Sequence, residues 1–345
     1  MYTACNCLHA KFTIDFYTQL LRVMRKYKIG IIGVGMVGTP LKEYFEEKQY
    51  KRGRDLFCYD TDPKKKYTDD INKAEIVFIA VPTPRRVKDG RCDTSIIRSA
   101  MRMLDGEKVV VMKSTMPPGT SEQLQEMYPQ HKFMFNPEFL TESQAKADFL
   151  NPDRQIVATT EKSRGFASDV LLLLPIGSFS SPGALTTYDY IYIKVTSAEI
   201  GKLATNSFGM TKVMFANILA DICDGVNGVF GKKIADYEEV KQVLAHDKRI
   251  GPYWLEVLHG NYRGAGGYCF PKDFDNVITS VADTIAKLKR KKGDTKLVER
   301  LEKGHRVFKA FWDYNITLLK HQNLSLSDVS RHDTEVQKVV KKKKR

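Results

Sequence analysis

The stretch "KIGIIGVGMVGTPLKEYF", residues 28–45, constrains the fold more than any other part of the chain. It reads as an apolar strand, a glycine turn and an opening helix, with Gly33, Gly35 and Gly38 in G-x-G-x-x-G spacing. Gly33 permits a tight turn, Gly35 lets the backbone approach a pyrophosphate, and Gly38 lets the helix lie against its strand. The helix N-terminus then favours an anion. A second strand, "DLFCYD", ends in Asp60, 22 residues beyond Gly38, where a carboxylate accepts from an adenosine ribose and repels a 2′-phosphate. The combination points to a dinucleotide, and to NAD over NADP, although Lys64, Lys65 and Lys66 pull the other way.

"AEIVFIAVPTP" and "KVVVMKSTMPPGT" continue as β-branched runs of the kind found in parallel strands buried on both faces. Each ends in a proline turn, which places the next loop at the carboxyl edge of the sheet, where open α/β folds bind ligands. The expected fold class is α/β, a Rossmann-like doubly wound parallel sheet followed by a mainly helical domain. Thr120 and Gln123 fit a capping box after "STMPPG". Thr115 ends its strand with a hydroxyl suited equally to a ligand or to turn packing. Asn136 followed by Pro137 predicts a helix start, which would set Glu138 and Glu142 on one face. Their repulsion argues for a role beyond helix stability; a solvated helix face is the alternative.

"TSAEIGKLATNSFGMTKVMFANILADICDGV" predicts a long helix with Lys202 and Asn206 on one face, beside an apolar stripe with Leu203, Phe208 and Val213. A cation and an amide there are costly without partners. Such a helix also suits a dimer spine. In "GAGGYCFPKD" a thiol, Cys269, stands between flexible glycines and a Lys272–Asp273 pair, as a nucleophile or as part of a structural loop.

A chain of 345 residues accommodates two domains. The expected organisation is an N-terminal extension over 1–23, disordered ahead of Met24; a dinucleotide-binding domain over 24–195; a helical domain over 196–322; and a basic tail over 323–345, disordered or partly helical. Six cysteines without metal-ligand spacing imply reduced thiols, a cytoplasmic protein and no metal site. The net charge of +14 gathers in "KLKRKKGDTK" and "KKKKR", which read as solvated faces and tails, not as a nucleic-acid surface. No uninterrupted apolar run has the length to span a bilayer, so a soluble protein with no membrane partner is expected.

Between about residues 27 and 280 the chain carries, in order, GVGMVG, VPTP, STMPPGT, NPEFLTES, NPDR, Lys202 with Asn206, DKRIGP and GGYCFPKD. In these it resembles the nucleotide-sugar 6-dehydrogenases, most closely those acting on UDP-glucose. The resemblance implies oxidation of the sugar C6 alcohol to a carboxylate, giving UDP-glucuronate, with two NAD+ used in succession through a thiohemiacetal and a thioester on Cys269. It implies Lys202 and Asn206 as oxyanion partners and Glu138 as the base for the hydrolytic water. Thr115 and Asp273 would position a water or accept a proton, with Glu142 a carboxylate on the cofactor or substrate side. Cofactor contacts would come from Gly33, Gly35, Val37, Gly38, Asp60, Pro82, Thr83, Thr115, Glu142 and Lys272. Sugar contacts would come from Glu138, Phe139, Leu140, Lys202, Asn206, Gly264, Gly266 and Gly267, with Arg249 reaching the substrate of a neighbouring subunit in a homodimer.

Two departures from the family stand out. Tyr268 occupies a position where a small residue is usual. Only about 25 residues follow "HRVFKAFWDYNITLLKHQ", where the family has a third α/β domain and an independent domain needs at least roughly 50. The alternatives are a truncated NAD-binding module that completes no turnover, and a two-domain dehydrogenase of another type, such as a hydroxy-acid or 6-phosphogluconate enzyme.

Overall fold

The computed structural model describes residues 26–184, 190–331 and 333–343; the expected extension over 1–23, with Cys5 and Cys7, lies outside them. The chain divides into two compact units, residues 26–83 with Thr94–Glu199, and Pro84–Asp93 with residues 200–343. The segment Pro84–Asp93 departs from the expected division, because it folds with the second unit.

The first unit is built on a six-stranded sheet: β1 (Ile29–Ile32), β2 (Leu56–Tyr59), β3 (Ile76–Ile79), β4 (Val109–Met112), β5 (Lys132–Phe135) and β6 (Ala158–Thr159), in the order β2-β1-β3-β4-β5-β6. The first five run parallel, and β6 pairs antiparallel with β5. Successive residues alternate between two cores: Val77, Ile79, Val110 and Met112 pack on one side, Ile76, Phe78, Val109 and Val111 on the other. The near-continuous apolar runs are therefore what a sheet covered on both faces requires. After β2 the chain crosses to the far side of β1 to lay down β3, so strand order reverses there and opens a crevice at the carboxyl ends of β1 and β3. Helices α1 (Gly38–Glu47), α2 (Ser95–Met101) and α3 (Thr120–Met127) follow β1, β3 and β4.

Two local expectations fail in this unit. Residues 136–141 are irregular, with a short 3-10 turn at Glu142–Gln144, so Glu138 and Glu142 share no helix face. Asn136 caps nothing; it is fully buried, its carboxamide donating to Gln155 Oε1 and the Ile156 carbonyl and accepting from Lys113. The Thr120–Gln123 capping box is also absent. The N-cap of α3 is Gly119, and Glu199 accepts from the amides of Gly119 and Ser121.

The second unit is helical: α4 (Val195–Phe230), α5 (Tyr237–Ala245), α6 (Cys269–Arg290), α7 (Thr295–His321) and α8 (Asp333–Lys343), with a hairpin of β7 (Leu258–His259) and β8 (Tyr262–Arg263). The first residues of α4, Val195 and Ala198, belong to the core of the first unit. Met210, Met214, Phe274, Ile278, Trp312 and Leu318 fill the core of the second. By length and composition alone α4 could cross a membrane, although it holds no uninterrupted apolar run long enough to span one. In the basic tail, expected to be disordered or partly helical, α8 is a helical part. Val336 and Val340 of α8 are fully buried against Tyr262, Leu319 and Val329, so the tail presents an apolar stripe under its charges.

Candidate active site

In the first unit the glycine turn has the geometry its residues predict. Gly33 has φ +89°, and a Cβ there would lie 2.7 Å from the Ala80 carbonyl oxygen. A Cβ on Gly38 would lie 1.9 Å from the Gly33 oxygen, while Gly35 faces open space. Val37 is the N-cap of α1 and supplies no side-chain cap, which leaves the helix amides for an anion. Asp60 accepts from the amides of Val34 (2.8 Å) and Asp62 (2.9 Å) and pairs with Lys65 at 2.9 Å. Burial works against its charge, but these donors outweigh it and hold the carboxyl below the usual range. The acid at the end of β2 thus stays ionised and anchors the turn. Lys65, the counter-argument in the sequence, is spent on that acid. This turn, open at Gly35 and bordered by a carboxylate, fits a dinucleotide.

The other predicted residues of this unit sit at the carboxyl ends of β3, β4 and β5. Pro82 is exposed; Thr83 is buried and donates to the Thr115 carbonyl at 2.7 Å, tying the two proline loops together. Glu138 accepts from the Leu140 amide at 2.8 Å, and the Phe139 ring lies 3.7 Å from the Arg154 guanidinium carbon. Glu138, Phe139 and Leu140, with Lys113, Asp148 and Arg154, line a cavity of about 180 Å³, and Glu142 lies outside its lining. Lys113, buried and donating to Asn136 Oδ1 at 2.6 Å, was missed by sequence reasoning. So was Glu199, fully buried at the start of α4, where burial pushes its carboxyl up against the pull of two amides.

In the second unit Cys269 is the first residue of α6 and is half-buried. Lys272 and Asp273, one turn on, are buried and ion-paired. Burial opposes the charge of Lys272, yet Asp273 and the thiols of Cys269 and Cys92 raise it well above the ordinary lysine range. The other Asp273 oxygen accepts from Asn206 Nδ2 at 2.5 Å, so α4 and α6 meet at this carboxylate. Lys202 lies one turn before Asn206 and is 4% exposed. Gly209 makes the approach possible, since a Cβ there would stand 2.8 Å from the Phe270 ring. Lys272, expected on cofactor phosphates, is ion-paired with Asp273.

The glycines of the loop have internal reasons. A Cβ on Gly264 would lie 2.7 Å from Asn315 Oδ1, and one on Gly266 would lie 1.9 Å from the Tyr262 hydroxyl. Gly267 has φ +77° and donates to the Val329 carbonyl at 2.8 Å. Asn315 clamps Ala265 through both backbone groups (2.8 and 3.1 Å). Arg249 is exposed and pairs with Asp247 at 2.6 Å. Tyr268, the unusual neighbour of the thiol, is the N-cap of α6, and burial raises its hydroxyl.

Comparison with known proteins agrees with this layout. The NAD binding domain of the UDP-glucose/GDP-mannose dehydrogenase family matches residues 63–171, and the family's central domain matches residues 196–292, together more than half of the chain. The chain belongs to this dehydrogenase family. Its N-terminal unit is the family's NAD-binding domain, and NAD is its cofactor. The first match begins after the glycine turn, whose assignment rests on the geometry above. The UDP-glucose 6-dehydrogenase of Rhizobium meliloti (strain 1021) is 32% identical over 74% of this chain, and UDP-glucose 6-dehydrogenase 2 of Arabidopsis thaliana is 31% identical over 66%. The chain spans only 64% and 46% of those two relatives. Among solved structures, a UDP-glucose dehydrogenase from Pyrobaculum islandicum shares the fold with TM-score 0.61 at 23% identity, covering 86% of this chain and 71% of that one. A UDP-D-ManNAc dehydrogenase from Pyrococcus horikoshii follows with TM-score 0.60 at 19% identity, covering 92% and 80%.

Proposed function

We propose that the chain is an NAD-dependent nucleotide-sugar dehydrogenase that oxidises the C6 alcohol of UDP-glucose to the carboxylate and works as a homodimer. The observation that carries this reading is the setting of Cys269, a half-buried thiol at a helix N-terminus beside a lysine kept cationic by Asp273. Both the helix end and the ammonium favour a thiolate. The thiolate would hold C6 covalently through the aldehyde and acyl stages, which keeps a reactive aldehyde from escaping. Asn206, oriented by Asp273, and Lys202 would steady the negative oxygen that forms at that carbon. Glu138 would take a proton from the water that releases the acyl group, and Thr115 would position that water. NAD, when bound, supplies the hydride acceptor; Gly33, Gly35, Val37, Gly38 and Asp60 would hold it, with Pro82, Thr83, Thr115 and Glu142 at the neighbouring strand ends. UDP-glucose is proposed over GDP-mannose or an N-acetylated sugar because the curated relatives carry that name.

The homodimer rests on α4. Phe208, Phe215, Ile222 and Val229 recur every seven residues and stay exposed, 63%, 47%, 54% and 84%. A strict seven-residue apolar repeat is the seam of two packed helices, and a second copy of the chain would cover it. Arg249, also exposed, would then be available to that copy.

The test is incubation of purified protein with UDP-glucose and excess NAD+. Two NADH per uronate are expected, with Cys269→Ser unable to reach the carboxylate. NAD binding without NADH from any nucleotide sugar would instead make the chain a binding module, and a single NADH per substrate would make it a one-hydride dehydrogenase.

A further inference from the structure

The chain that runs from β8 to Cys269 is held by its backbone at every second residue. The Arg263 amide donates to Gln322 Oε1 at 2.8 Å, and the Arg263 carbonyl accepts from Gln322 Nε2 at 2.9 Å. Asn315 serves both backbone groups of Ala265 in the same way, at 2.8 and 3.1 Å, and the Gly267 amide donates to the Val329 carbonyl at 2.8 Å. A carboxamide carries the donor and the acceptor of a peptide unit, so Gln322 and Asn315 each stand in for a residue of a neighbouring strand. Both are fixed in turn. Asn315 is fully buried, and Gln322, the C-cap of α7, also donates to the Leu318 carbonyl at 2.8 Å. Val329 sits in a core with Tyr262, Leu319, Val336 and Val340. All three anchors lie beyond residue 292, where the matched central domain ends.

The clamp ends two residues before Cys269, the first residue of α6. Tyr268, the N-cap, supplies no side-chain cap to that helix, so nothing at the cap itself fixes where its first turn begins. The approach is also rich in glycine, at 264, 266 and 267, the residue that loses most freedom on ordering. We infer that Asn315 and Gln322 are positioning residues for Cys269: they hold residues 263–267 in one path and thereby fix the first turn of α6, which presents the thiol. The helix start favours a thiolate only while its amides stay aligned on the sulfur. Without the clamp that turn frays, and the sulfur keeps its place in the chain but loses its activation. The inference rests on Cys269 being the activated nucleophile of the reading above, but on no step of sugar oxidation.

The experiment follows alkylation of Cys269 by iodoacetamide in the folded full chain at neutral pH, by mass spectrometry of digested peptides. Asn315→Ala and Gln322→Ala should each slow it about ten-fold, as the thiol returns toward its ordinary value of about 8.5 and less thiolate is present. The ultraviolet absorbance of the thiolate, taken as the difference from Cys269→Ser, should fall in parallel. The sign separates positioning from packing, because merely loosening the loop uncovers a half-buried thiol and leaves alkylation equal or faster. Cys58, Cys92 and Cys223 are buried, and their protection from the reagent establishes that a variant is folded. If Asn315→Ala exposes them, Gln322→Ala, at a half-buried site, decides. Rates equal to or above the wild type in a folded variant overturn the inference. A wild-type rate no higher than that of free cysteine refutes the nucleophile reading, whereas the clamp is judged on the ratio of variant to wild type.

Discussion

The two units assemble their chemistry in opposite ways. In the sheet unit the groups of interest stand on turns that follow directly from their own strands: the glycine turn after β1, Asp60 after β2, Thr83 after β3 and Thr115 after β4. In the helical unit they are drawn from distant parts of the chain. Asn206 comes from α4, Asp273 from α6 and Asn315 from α7. A site built from local turns tolerates the loss of one contact, because each turn carries its own backbone constraint. A site built on a buried ion pair does not, because every member was placed by the others.

The largest expected effect therefore lies in the helical unit. Asp273→Ala leaves the Lys272 ammonium buried without its partner and removes the acceptor of Asn206. Breaking a buried pair from one side costs about 3–5 kcal/mol. Urea denaturation measures the loss, and peptide-resolved hydrogen exchange should place it in α4 and α6. Adding Lys272→Met to Asp273→Ala should recover most of the stability without recovering turnover. If the double variant is no more stable than the single one, charge burial is not what holds this site, and the contrast between the units fails there.

A smaller effect is expected for Gly38→Ala in the sheet unit. The added Cβ would stand 1.9 Å from a backbone oxygen, so α1 must shift away from β1. Overpacking of this kind costs about 1–3 kcal/mol, and NAD affinity should fall with it because the turn and the helix amides move together. Titration with NAD+ by calorimetry checks the second part. Unchanged affinity despite the stability loss would detach the turn from the cofactor.

What the sequence made legible follows the same divide. The strands, the glycine turn and the acid after β2 were readable because their causes lie within a few residues of one another. The helix expected at Asn136–Pro137 was not readable, since Asn136 is claimed by Lys113, Gln155 and the Ile156 backbone. The capping box at Thr120 gave way to Glu199, some 80 residues later. Both are cases of tertiary partners overriding a local signal. The helix in the tail did leave a trace, Val336 and Val340 at helical spacing within the lysine-rich segment. Gly264, Gly266 and Gly267 were expected in a loop that approaches the sugar; at Gly264 and Gly266 packing asks for glycine as well, because a Cβ would meet Asn315 or Tyr262, and Asn315 lies far along the chain and leaves no local signal.

The smallest expected effect separates the units by acidity. His131, in the sheet unit, is fully buried, stacked on Tyr128 and edge-on to Phe133; burial, with Lys108 nearby, pulls its imidazole below the ordinary value. Folded, it stays neutral where the unfolded chain, with a histidine value of about 6.5, takes up a proton. Its contribution is therefore fully present above about pH 6.5 and is lost as pH falls below that value toward the depressed one in the folded state. Between about pH 7.5 and 5.5 the wild type should lose up to roughly 1 kcal/mol more than His131→Gln, by urea midpoints at each pH. The pH window stays above the ordinary titration of exposed carboxylates. Hydrogen exchange should place the extra loss around Tyr128 and β5. Parallel pH profiles for the two proteins would remove His131 as the acid-sensitive point and leave the buried charges of the helical unit as the first to respond.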